Sequence, residues 1–194
     1  MMTAVCDGVR AQLSGINRAV LAGGWGGVAL PPTRVSGYQV YPVVSVDVIA
    51  WQERVDAGCG PELTRSTLAL WESWLPDMGE APPPSPIAIV GFVSTARPSA
   101  ALCALDSLAG YGAGLWLAEG RQPTAWTLRE FDMADITVVT DVDHSPAVLV
   151  RGRTGRIETA RRMTSTRLKE EQLFALALAS GCCCAAPESM TPTL

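Results

Sequence analysis

Residues 86–119 leave this chain few ways to fold. Ile87-Ala88-Ile89-Val90-Gly91-Phe92-Val93-Ser94 and Ala113-Gly114-Leu115-Trp116-Leu117-Ala118 are apolar at nearly every position. As strands, both would need protein on each face. Between them Pro98 opens a small-residue helix in which Ala101, Leu105 and Leu108 face one way, and Gly110 to Gly112 closes it. The unit reads as strand, helix, strand, and a right-handed crossover lays the second strand parallel to the first.

The rest of the chain supplies what such a unit needs as cover. Its 194 residues are 48% hydrophobic and 18% charged, enough for one domain with a substantial core and unlike a disordered acidic chain. Val9, Leu13, Ile16 and Val20 share one helical face that Gly23-Gly24 ends, and Trp25, between two glycine pairs, is placed to fold back onto that helix. Runs at 28–30 and 38–44 read as strands, with Pro42 arguing for an edge or a break. The run 43–51 reads as a further strand with Asp47 in its middle. A helix is expected from Pro61, with Leu68, Trp71 and Leu75 on one side and Trp74 alongside, and a rigid proline-rich spacer follows at 82–86. Runs at 124–130, 136–140 and 147–150 read as an antiparallel β extension. Thr164, Ser165 and Thr166 offer N-caps for a last helix through Leu168, Leu173, Leu176 and Leu178. The expectation is a single α/β domain over 1–180, a central mixed sheet flanked by helices, with a disordered Cys/Pro/Thr tail at 181–194.

Several function classes are set aside by composition. The net charge of −4 gives no global field toward nucleic acid or an anionic membrane. A local basic patch remains at Arg151, Arg153, Arg156, Arg161, Arg162, Arg167 and Lys169, whose plain reading is a solvated lead-in to the last helix; Arg151, Arg153 and Arg156 are the candidate binding residues. No secretion signal and no membrane-length apolar run is visible, which predicts a cytoplasmic protein. Six cysteines and one histidine lack zinc-ligand spacing, so reduced thiols are expected. His144, in an Asp-Val-Asp-His-Ser-Pro turn, is read as a turn residue, because a hydrolytic triad needs a nucleophile that the sequence does not place.

The order of helix, hairpin-like pair, Asp-bearing strand, long excursion and strand-helix-strand is similar to the PD-(D/E)xK nuclease superfamily, and within it to the Uma-type restriction endonucleases. Val46-Asp47-Val48-Ile49, Ile89-Val90-Gly91-Phe92-Val93-Ser94 and Gly114-Leu115-Trp116-Leu117-Ala118-Glu119 carry the likeness over residues 9–150. The resemblance implies a restriction-endonuclease-like fold with Asp47 as a vestigial metal ligand. Such enzymes hold Mg²⁺ on two carboxylates and use a lysine beside the attacking water. Here Gly91 stands where the second acid belongs and Val93 two positions on. No lysine occurs over 96–120, and Cys103 stands about where a helix-borne lysine would be.

The expectation is therefore a nuclease homologue without hydrolytic activity that acts by binding nucleic acid or another protein, with room for a homo-oligomer. No cofactor is expected, apart from Mg²⁺ if cleavage is retained. One alternative is a non-enzymatic interaction module using the Trp71 and Trp74 helix and the 82–86 loop. Another is a long leader for a modified peptide whose core is the Cys182-Cys183-Cys184 tail, with Ser189, Thr191 and Thr193 as partners for thioether rings.

Overall fold

In a computed structural model of the chain, the two apolar runs form adjacent parallel strands at the centre of a seven-stranded mixed sheet. Described are residues 2–120, 122–142, 145–157 and 163–181, with backbone alone for 2–11 and 142. The elements are α1 (Met2–Ala22), β1 (Val28–Ala29), β2 (Thr33–Val35), β3 (Tyr38–Val46), α2 (Val48–Asp56), α3 (Arg65–Glu72), β4 (Ile87–Ser94), α4 (Pro98–Ser107), β5 (Ala113–Glu119), α5 (Ala125–Met133), β6 (Thr137–Val142), β7 (Ser145–Val150) and α6 (Thr164–Ser180). The strand order is β1-β3-β4-β5-β6-β7, with β2 also on β3. The fold is a single α/β domain with helices on the sheet's faces, as its sequence leads one to expect.

The alternation along each strand sorts the core into two layers. Leu13, Ile16, Ala19 and Val20 of α1 cover Tyr41, Val43, Val93, Leu115, Leu117 and Val139 on one face. On the other, Ala101, Ala104 and Leu105 of α4 and Phe131 of α5 cover Val40, Phe92, Trp116 and Val138. Trp116 stacks on Phe131 with ring centroids 4.6 Å apart, and its Nε1–H donates to Ala96 O at 3.0 Å. Leu173, Phe174 and Ala177 of α6 close a third cluster over Leu30, Val44 and Ile87.

Pro42 lies inside β3 rather than ending it. It stands level with Leu30, just past the end of β1, and its carbonyl accepts from Leu30 N–H at 2.8 Å; the return bond that a proline cannot make falls in the gap between β1 and β2.

Three sequence expectations need correction. The run 43–51 is not one strand: β3 stops at Val46 and Asp47 starts α2. Residues 124–130 are not β: Thr124 Oγ1 accepts from Thr127 N–H at 3.2 Å and caps α5, a local helix signal that outweighs the β-prone composition. As a result β6 returns parallel to β5, and of the expected antiparallel extension only the β6–β7 pair is antiparallel. The apolar stripe expected on α6 is only partly right: Leu173 is buried, Leu178 is exposed, and Arg167, Glu170 and Glu171 are buried instead.

Candidate functional site

Asp47 is where local chemistry dictates. Its backbone is extended, at φ −84° and ψ 103°, and its Oδ1 accepts from the N–H groups of Ile49 and Ala50 at 3.1 and 3.0 Å. That is an N-cap, which satisfies helix donors that have no partner within the helix. Its own N–H donates to Pro86 O at 2.9 Å, so it lies level with the entry to β4.

Gly91 is on the neighbouring strand but opposite Val43. The five residue steps from Pro86 to Gly91 span about 17 Å of strand, so side chains at 47 and 91 do not converge. Position 91 is also closed. A Cβ there would lie 2.5 Å from Ala113 O and 2.6 Å from Cζ3 of Trp25, whose indole lies on the glycine. Trp25 thus reaches past the helix onto the sheet. Val93 is fully buried in the α1 layer. Cys103 is on the opposite side of the sheet, in the α4 layer, exposed and with Sγ 3.6 Å from Tyr38 Oη. It lines a groove of about 1080 Å³ between α4 and α5, with Arg97, Leu102, Asp106, Glu130 and Met133. Among the described residues, no three His, Cys, Asp or Glu side chains gather as a metal-ligand set.

The carboxyl ends of β5 and β6, where ligands of open α/β sheets often bind, carry two acids in register, Glu119 and Asp141. Asp141 Oδ2 pairs with Arg18 Nη2 of α1 at 3.1 Å, while its Oδ1 is buried without a hydrogen-bond partner among the described residues. Burial and, secondly, the charge of Glu119 raise the Tyr41 phenol above its usual range. No local pattern marks this acidic edge, because the two residues are 22 positions apart and only the parallel register joins them.

At the amino ends of the same strands runs the basic segment. Arg151 and Arg156 are exposed and Arg153 is partly buried. Gly152 N–H donates to Thr137 Oγ1 at 3.1 Å, Arg153 N–H to Asp135 O at 3.0 Å and Ile157 N–H to Ala109 O at 3.1 Å. Arg167, grouped with this patch in sequence, belongs elsewhere. It is buried, its Nη2 lies 3.0 Å from Glu171 Oε1 and 2.7 Å from Pro83 O, and its guanidinium stacks over Trp71 at 5.6 Å. The Trp71 and proline-loop face, expected as a contact face of an interaction module, is thus met in part by α6, at Trp71 and Pro83. Nearby, Glu62 accepts from Thr64 N–H at 2.6 Å, and hydrogen bonds from the Thr64 backbone and side chain lower its pKa. Asp143, His144, Arg161, Arg162 and the Cys182-Cys183-Cys184 tail lie outside the described residues. No described helix is long and apolar enough to cross a membrane.

Compared with known protein families, curated proteins and solved structures, the chain matches none of them.

Proposed function

We propose that this chain is a restriction-endonuclease-like scaffold without hydrolytic activity that works by binding. The succession α1, β1–β2, β3, β4, α4, β5, with β3 beside β4, supports the nuclease-like part of the reading. The observation that carries the loss of hydrolysis is the closed space at Gly91, filled by the Ala113 carbonyl and the Trp25 ring. No carboxylate fits at that position, and Asp47 spends Oδ1 on its helix cap. Two carboxylates brought to one Mg²⁺ are what such hydrolysis needs, and this reading requires no cofactor.

The test is incubation of the purified chain with plasmid and single-stranded DNA in Mg²⁺ or Mn²⁺. No cleavage is expected. Cleavage that disappears in Asp47→Ala would overturn the reading.

A second reading, a protein-interaction module, is favoured by one observation: Trp126 and Met133 of α5 are 67% and 79% exposed, large apolar side chains of a kind enriched at interfaces. A monomeric mass in solution with no partner recovered by pull-down would count against it.

A further inference from the structure

α4 carries its charges the wrong way round for its own dipole. Arg97 stands at the N-cap, without a side-chain cap bond, and Asp106 stands in the last turn. A helix favours an anion at its amino end and a cation at its carboxyl end, so each placement is unfavourable in the isolated chain. Both side chains are exposed, both line the groove between α4 and α5, and neither pairs with another described residue.

α5 presents a matching order beside the same groove. Trp126, Arg129, Glu130 and Met133 are all exposed, and their spacing keeps them within one stripe of the helix. From end to end the stripe reads apolar, cationic, anionic, apolar. Glu130 and Met133 line the groove with the α4 residues. Both helices connect parallel strands and cover the same face of the sheet, so they run side by side in one direction.

A surface with this order is complementary to itself turned end for end. A two-fold axis crossing α4 midway between Arg97 and Asp106 sets each against the other residue of a second copy. The same rotation about the middle of α5 sets Trp126 against Met133 and Arg129 against Glu130. The two midpoints lie near the centres of their helices, so one axis serves both.

We propose that this face pairs with a second copy of the chain, α4 on α4 and α5 on α5, in an antiparallel isologous contact. The amino end of each α4 then faces the carboxyl end of the other, and its misplaced charges gain opposite neighbours. Trp126 and Met133 cover one another, and thioether sulfur packs favourably on aromatic rings. A second copy fits better than a different protein because one rotation makes all three pairs complementary. The inference rests on the protein-interaction reading above and names its partner. Helices of ten and nine residues bury a small area, so the pair dissociates readily rather than being permanent.

The experiment follows the mass of the full chain by sedimentation across the micromolar range. It compares wild type, Arg97→Asp, Asp106→Arg and an equimolar mixture of the two variants. Reversible dimerisation of wild type is expected. Each variant alone sets like charges together and should dimerise about tenfold more weakly or worse. The mixture should recover wild-type association, because each copy supplies the charge that the other lacks. Both substitutions place charge where the helix dipole favours it, so the thermal midpoint of each monomer should stay or rise. That separates lost association from lost folding. A wild type still monomeric at several hundred micromolar overturns the proposal, as does a dimer unmoved by either variant, or a mixture no tighter than its components. Should a variant fail to fold, unchanged dimerisation in Trp126→Ala overturns it instead. A monomer sinks the self-pairing alone, since the interaction reading falls only if no other partner is recovered either.

Discussion

Two arginines, the buried Arg54 under α6 and the partly buried Arg153 after β7, bring guanidinium donors out of water and fare in opposite ways. Arg54 is 2% exposed. Its Nη1 and Nη2 lie 2.8 and 3.1 Å from the two oxygens of Glu171, Nε and Nη2 also donate to the carbonyls of Cys59 and Gly60, and the Phe174 ring lies 5.1 Å from its Cζ. Glu171, fully buried, also accepts from Glu62 N–H and Arg167 Nε. One carboxylate thus ties α2, the 59–62 loop and the proline-rich loop to α6. Arg153 has none of this on its buried edge. A buried charge held by several hydrogen bonds reads as architecture, whereas a guanidinium edge with no acceptor among the described residues is a cost to the fold.

The comparison breaks most visibly at Glu171. Glu171→Ala should cost about 3–5 kcal/mol in denaturant unfolding, because it strands two buried guanidinium groups. Replacing the pair together, Arg54→Met with Glu171→Leu, should recover part of that loss, since an apolar pair of similar volume is often no worse than a buried ion pair, while Arg167 still loses its contact with Glu171. If the double variant is as unstable as the single one, the cluster is more than a satisfied pair.

Asp47→Ala should cost about 1 kcal/mol, the usual loss for an N-cap, and Asp47→Ser should restore most of it. Stability that changes with Mn²⁺ in wild type and not in Asp47→Ser would instead give Asp47 a metal.

Arg153→Met carries the opposite sign, about 0.5–1 kcal/mol of stabilisation, read from the same unfolding curves, because it removes a donor edge with no acceptor among the described residues. A loss of stability of Glu171→Ala size would erase the contrast between the two arginines.

The smallest effect concerns a buried group that avoids charge altogether. Because the Tyr41 phenol is held above its ordinary value, its stabilising contribution is complete below the unfolded value near 10. It is lost as pH rises through the higher folded value. Alkaline absorbance titration of the three tyrosines should show a late component that is missing in Tyr41→Phe.

How far the chain itself revealed all this varies by element. The β4–α4–β5 unit and the buried face of α1 were plain, because long apolar runs and helical spacing report burial directly. The α2 boundary was lost because the apolar run across Asp47 continues without a break in hydrophobicity, and the switch from strand to helix is made by one carboxylate capping two amides. α5 was missed for the same reason at Thr124. Of the candidate site, Gly91 and Val93 were visible as departures from a nuclease pattern, and Arg151, Arg153 and Arg156 as a patch. That Arg167 belongs to a different cluster from these three was not visible.

The sequence by itself pointed to an α/β domain around two buried parallel strands, since two runs apolar at nearly every position need cover on both faces and the helix between them supplies a crossover. Only the tertiary structure decided what its charges do. Whether a buried arginine finds a carboxylate depends on residues over a hundred positions apart, as with Arg54 and Glu171, 117 residues distant. Hydrogen bonds form across space, and the local pattern along the chain carries no record of that partner.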